Sequence, residues 1–265
     1  LGLDRITHAF VTARGEGRAA LMPYFTAGYP DLAASEAVLC AIADAGADLI
    51  ELGIPFSDPL ADGPTIQHSA QVALEHGVTL ARCLELLARL RARGVAQPIL
   101  LMGYVNPFLA YGIERVTADA AAAGADGFIV PDLPPEEAAE FEAACRAHGL
   151  ALVFLLAPTS TPERIATVAG HSTGFLYLVS LIGVTGARTG LPTDLADFVR
   201  RVRQASSLPL GVGFGISTPA QARAVGYLAD GVIIGSALIK AAGESADPAG
   251  AAGSFVRGLR SGIRD

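Results

Sequence analysis

Asp48-Leu49-Ile50-Glu51-Leu52-Gly53 runs into Ile54-Pro55-Phe56-Ser57-Asp58-Pro59-Leu60-Ala61-Asp62-Gly63-Pro64-Thr65. The first six residues read as a buried strand that ends in an acid. Three prolines and two glycines, all between Gly53 and Pro64, then hold the chain out of helix and strand. Glu51, Asp58 and Asp62 fall within twelve positions. A strand that carries Glu near its end and opens into a stiff, acid-bearing loop is a setting for acid–base chemistry.

The same apolar, strand-length signal recurs along the chain. Runs at 20–26, 48–53, 98–104, 127–130, 151–156, 174–180, 208–213 and 231–235 make eight candidate strands. Most are continuously apolar rather than alternating, the pattern of parallel strands buried on both faces. Helix signals lie between them. Pro134-Pro135-Glu136-Glu137 starts a helix with prolines and acids, and His148-Gly149 ends it. Leu80, Cys83, Leu84 and Leu87 form an apolar stripe, with Arg82, Glu85 and Arg89 outward. Thr161-Pro162-Glu163 reads as a cap with a first-turn proline, and Thr218-Pro219-Ala220-Gln221 as a capping box. No linker divides the chain; the Gly/Ala/Ser-rich stretch 241–253 is the expected flexible piece. Alternating strands and helices mean a (β/α)8 barrel or a doubly wound sheet. Eight units in 265 residues favour one barrel domain over 1–265 with extra short helices.

Composition narrows the function classes. The chain is 51% hydrophobic with a formal charge of -7, so no basic face invites nucleic acid or an anionic membrane. No apolar run approaches the roughly 18 residues of a membrane span, and no signal peptide is visible. A cytoplasmic location is the expectation. Cys40, Cys83 and Cys145 are odd in number and widely spaced, as small core residues in a reducing compartment are. The five histidines lack close metal-ligand spacing, so no metal site is expected.

In a barrel of this type chemistry sits on the loops that follow the strands. Strand ends therefore nominate Glu51, Tyr104, Asp132, Tyr177, Gly215 and Ser236. Glycine turns follow the late strands at 183–186, 211–217 and Gly235-Ser236. Such turns let backbone amides approach a phosphate, and 236–240 reads as the short helix whose N-terminus completes the anchor. Glu51 in an apolar strand is either a hydrogen-bonded core acid or an acid aimed into the mouth of the barrel. Asp58 and Asp62 alone also suit turns, and Tyr104 and Tyr177 also suit a core. Lys240, the only lysine, lies beyond the last strand, which argues against a Schiff base in this chain. The residues thus point to a phosphate-anchored small substrate and carboxylate acid–base catalysis.

The segments 23–30, 51–67, 183–186 and 213–216 resemble the signatures of the tryptophan synthase alpha chain family. The match at 51–67 is almost letter for letter, and the resemblance runs over essentially the whole chain. It implies a TIM barrel that reversibly splits indole-3-glycerol phosphate into indole and glyceraldehyde 3-phosphate. It further implies Glu51 as the acid–base group, Asp62 as hydrogen-bond acceptor for the indole N–H, and Tyr177 as an assisting residue. Thr185, Gly186, Gly215, Gly235 and Ser236 would serve the phosphate end and its loop. Tyr24, Ile66, Leu101, Tyr104, Leu155 and Phe214 would surround the indole and glycerol portions.

The resemblance implies no cofactor in this chain, and a beta-chain partner that carries pyridoxal phosphate in an alpha2beta2 tetramer. Asp58, Pro59, Asn106 and Pro134 would meet that partner. Tyr29 and Leu181 depart from the family pattern, where Asp and a polar or charged residue are common. A stand-alone lyase, a catalytically silent partner chain and a sugar-phosphate isomerase are the competing readings.

Overall fold

In the computed structural model, which describes residues 2–179, 193–213 and 215–263, the apolar runs become one parallel sheet. Its strands are β1 (Ala20–Thr26), β2 (Ile50–Gly53), β3 (Ile99–Met102), β4 (Gly127–Ile129), β5 (Ala151–Val153), β6 (Leu155–Leu156), β7 (Leu176–Val179), β8 (Leu210–Gly213) and β9 (Gly231–Ile234). Their spatial order is β5-β4-β3-β2-β1-β9-β8-β7-β6. β5 and β6 are two halves of one run interrupted at Phe154, whose carbonyl still accepts from the Tyr177 N–H at 3.1 Å. That run pairs with β4 on one side and β7 on the other. The sheet therefore closes on itself as an eight-unit barrel, and each predicted strand run contains its observed strand.

Two cores follow from the two-residue period of the strands. Ala20, Met22, Leu49, Leu100, Ile129, Val153 and Ile233 fill the barrel interior. Helix Gly2–Gly15 plugs its N-terminal end with Ile6, Phe10 and Ala13. Asp126 secures that plug, accepting from Arg5 at 2.6 Å, Arg91 at 2.7 Å and the Ile99 N–H at 2.7 Å. The other phase of each strand, with Leu21, Phe25, Leu52, Ile99 and Leu101 among its residues, packs against the surrounding helices.

Most of the helix punctuation forms as expected; Pro135–Glu137 instead makes a separate 3-10 turn, and the helix that Gly149 ends starts at Ala139. Thr79 and Thr161 cap helices Leu80–Ala92 and Pro162–His171, and Thr218 with Gln221 makes a reciprocal capping box. Gly149 ends helix Ala139–His148 in the left-handed conformation, at φ 67°. The stretch 241–253 is a correction. It closes helix Ser236–Gly243 and opens helix Pro248–Ile263. Ala252, Val256, Leu259 and Ile263 bury one face of that last helix, and the small Gly253 lets its backbone approach Ala41. The composition of the segment thus reflects close packing and helix propensity.

Candidate active site

A cavity of about 350 Å³ opens at the C-terminal end of the strands. Its floor is set by register. Tyr24 on β1 pairs with Glu51 on β2, which pairs with Leu100 on β3. Glu51 thus shares the inward phase with Leu49 below it. Its side chain is fully buried, and neither carboxyl oxygen has a hydrogen-bond partner among the described residues. Burial alone pushes its pKa well above the usual carboxylate range. A buried acid that lines an open cavity, with no partner among the described residues, favours its protonated form and faces the space a ligand would fill.

Asp62 reaches the same cavity from the loop after β2. The Tyr104 hydroxyl donates to its Oδ2 at 3.1 Å and accepts from the Ala61 N–H at 2.9 Å. The Gln67 amide donates to the Asp62 carbonyl at 2.8 Å. Burial raises the Asp62 pKa, and the Tyr104 hydrogen bond pulls it back. Tyr177 also lines the cavity, and burial followed by the nearby Glu51 and Asp62 charges raises its pKa. Tyr24 is raised in the same way by burial and then by Asp62.

Two glycines make room for these rings. A Cβ at Gly53 would lie 2.1 Å from the Tyr24 hydroxyl, and one at Gly213 would lie 2.6 Å from that of Tyr177. No side chain larger than hydrogen fits either position while the tyrosines stand where they do.

The opposite wall is built for an anion. Gly213 at the end of β8 and Gly215 after it, with Gly235, Ser236 and Ala237 after β9, line it. Helix Ser236–Gly243 starts there, so its first backbone N–H groups and its dipole face the cavity. The Ser236 hydroxyl adds a donor. The cavity therefore joins two carboxylates to a cradle of amides across an apolar middle of Ile66, Leu155, Val179 and Ile233. That arrangement suits a flat apolar group tethered to a phosphate.

Most of the expected site residues meet here. Tyr24, Glu51, Asp62, Ile66, Leu155, Tyr177, Gly215, Gly235 and Ser236 all line the cavity. Tyr104 stands behind Asp62 as its hydrogen-bond partner. Leu101 is a correction: it belongs to the helix-facing core, and Met102 lines the cavity instead. A continuous apolar strand hides which phase points inward. Thr185, Gly186, Leu181 and Phe214 lie outside the described residues. Pro131, which sequence reasoning missed, and Ser217, at the end of the nominated 211–217 turn, add to the lining from the loops after β4 and β8. The strand-end position of Pro131 was the available signal.

Asp58 and Pro59 on the loop after β2, Asn106 in the first turn of helix Val105–Tyr111 after β3, and Pro134 on the loop after β4 follow three adjacent strands and so share one rim. Leu60 on the same rim is 96% exposed. Tyr29 is buried, edge-on to His68 and tilted against Phe25. Lys240 is exposed and pairs loosely with Glu244 at 3.8 Å. Cys40, Cys83 and Cys145 are free thiols on helices. Among the described residues no group of three acids, histidines or cysteines could hold a metal ion, and no helix is long and apolar enough to cross a membrane.

A sequence model of the tryptophan synthase alpha chain family matches residues 10–254. The tryptophan synthase alpha chain of Chloroflexus aggregans is 56% identical over 89% of this chain and 89% of its own length. That of Roseiflexus sp. is 54% identical over 97% of this chain and 100% of its own. A solved structure of Mycobacterium tuberculosis tryptophan synthase superposes with a TM-score of 0.91 at 41% identity, covering 98% of both chains. The crystal structure of the alpha chain from Legionella pneumophila gives 0.90 at 37%, covering 98% of this chain and 97% of that one. By these matches the chain belongs to the tryptophan synthase alpha chain family.

Proposed function

We propose that the cavity between Glu51, Asp62 and the late glycine turns carries the lyase reaction of this family. The protein acts as an alpha chain, cleaving indole-3-glycerol phosphate to indole and glyceraldehyde 3-phosphate. The reading rests above all on Glu51, a buried carboxyl with no partner among the described residues, on the floor of a cavity whose opposite wall is a cradle of backbone amides.

The Glu51 carboxyl, protonated through burial, delivers its proton to indole carbon 3. The ring becomes an indolenine with positive charge at nitrogen. Asp62 accepts the hydrogen bond from the ring N–H and stabilises that charge as it develops. The Glu51 carboxylate then takes the proton of the neighbouring side-chain hydroxyl. As it does, the carbon–carbon bond breaks and its electron pair restores the aromatic ring. The hydroxyl carbon becomes the aldehyde. Protons balance, since Glu51 ends as it began. Tyr177, confined over Gly213, lines the reacting end, and the Ser236 helix terminus holds the phosphate.

The family has a beta-chain partner. We place that partner on the rim formed by Asp58, Pro59, Asn106 and Pro134, in an alpha2beta2 assembly in the cytoplasm. The pyridoxal phosphate of the complete reaction belongs to the beta chain. None of the described residues that line this cavity is a lysine. Glu51→Gln tests the assignment: indole release should vanish while inorganic phosphate still binds.

A further inference from the structure

Three hydroxyls form a chain that runs from Tyr24 in the cavity wall to two buried groups behind it. Tyr24 Oη lies 3.4 Å from Thr26 Oγ1, and Thr26 Oγ1 lies 2.7 Å from Ser69 Oγ. Ser69 Oγ donates to the Ile66 carbonyl at 2.8 Å. Thr26 and Ser69 are fully buried. Each hydroxyl has one hydrogen to give. Ser69 spends its hydrogen on Ile66, so Thr26 donates to Ser69 and Tyr24 donates to Thr26. The direction of the whole chain is fixed by its last link.

The chain joins two elements that must stay in register for catalysis. Thr26 ends β1, whose Tyr24 faces the cavity. Ser69 and Ile66 sit in the first turns of helix Pro64–Glu75. That helix begins two residues after Asp62, and its Gln67 holds the Asp62 carbonyl. The loop before it offers little support of its own: Asp58, Leu60, Ala61 and Gly63 are exposed. The position of Asp62 is therefore shared between Tyr104, which holds its carboxylate and the Ala61 N–H, and the helix, which holds its carbonyl and is pinned to the barrel through Ser69 and Thr26.

We propose that Thr26 and Ser69 are positioning residues for the cleavage, acting through Asp62 rather than on the substrate. The inference rests on the role given to Asp62 above. A displacement of about an ångström at such a group costs on the order of a hundred-fold in rate, and partial loosening costs less.

The test uses the full chain assayed with its beta chain. Ser69→Ala and the near-isosteric Thr26→Val should each lower kcat for indole release about ten-fold, with the Kd for inorganic phosphate changed less than about two-fold. Thr26→Ser, which keeps the hydroxyl, should hold kcat within about three-fold of wild type. The Thr26→Val/Ser69→Ala pair removes both partners, so it should recover thermal stability but not kcat. Recovery of both, or a Thr26→Ser loss equal to that of Thr26→Val, would overturn the proposal. In an Asp62→Asn background Ser69→Ala should cost less than about two-fold, because the two act as a unit. A full ten-fold loss there would show that the pair does not act through Asp62. Full turnover by Asp62→Asn alone would instead remove the role of Asp62 itself.

Discussion

Gly53→Ala is expected to damage binding far more than folding. The added methyl carbon would lie 2.1 Å from the Tyr24 hydroxyl and within 2.6 Å of two ring carbons. Ordinary contact begins at 3.4 Å, so the hydroxyl must retreat about 1.3 Å. Overpacking of this kind costs about 1–3 kcal/mol where nothing can yield. Here something can: Tyr24 lines the open cavity, and among the described residues its hydroxyl is held only by the 3.4 Å contact to Thr26. The ring is expected to swing into the space the indole needs. Unfolding stability should then fall by less than about 2 kcal/mol, while kcat/KM for indole release falls about a hundred-fold. Steady-state indole formation and thermal melts on the same preparation read both numbers. Full kcat/KM with a bound-state structure showing Tyr24 unmoved would refute the packing argument. So would loss of activity matched by an equal loss of folding.

Other expectations follow from the same geometry. Gly213→Ala asks a retreat of only about 0.8 Å from Tyr177, so its loss of kcat/KM should be smaller than that of Gly53→Ala in the same assay. Tyr104→Phe removes the hydrogen bond that lowers the Asp62 pKa, so the acid limb of the kcat/KM profile should move to higher pH; an unmoved limb would contradict the pairing. Glu51 is protonated in the folded state where an unfolded glutamate, near 4.5, has lost its proton, so its burial costs stability as pH rises above that value. Glu51→Gln should therefore match wild-type stability at about pH 4 and exceed it increasingly toward neutrality, by up to about 1.4 kcal/mol per pH unit. A melting difference independent of pH would argue that Glu51 is ionised when buried. Ser236→Ala should raise KM about ten-fold with little change in kcat, since it removes one donor from the phosphate end.

The barrel was legible because parallel strands buried on both faces keep a continuous apolar run, and each run here ended where the next helix could begin. The same continuity hid the phase. In Ile99-Leu100-Leu101-Met102 nothing in the residue types says which two point inward, so the expected Leu101 gives way to Met102, one residue along. Glu51 stood out because an acid in such a run is either hydrogen-bonded in the core or aimed into a site, and among the described residues it has no partner. The glycines that clear space for Tyr24 and Tyr177 could not be read, since their neighbours come from other strands. Nor could the Thr26–Ser69 pair, whose members are 43 residues apart. The alanine- and glycine-rich stretch 241–253 looked flexible because composition ignores a close neighbour, and here that neighbour is the helix carrying Ala41.

The account turns on one proton. Glu51→Gln keeps the shape of the side chain and removes its acid, so indole release from indole-3-glycerol phosphate measures that proton directly. The expected result is a fall in kcat of about three to four orders of magnitude, with the Kd for inorganic phosphate nearly unchanged. Turnover within about ten-fold of wild type would contradict the assignment of Glu51 as the acid–base group.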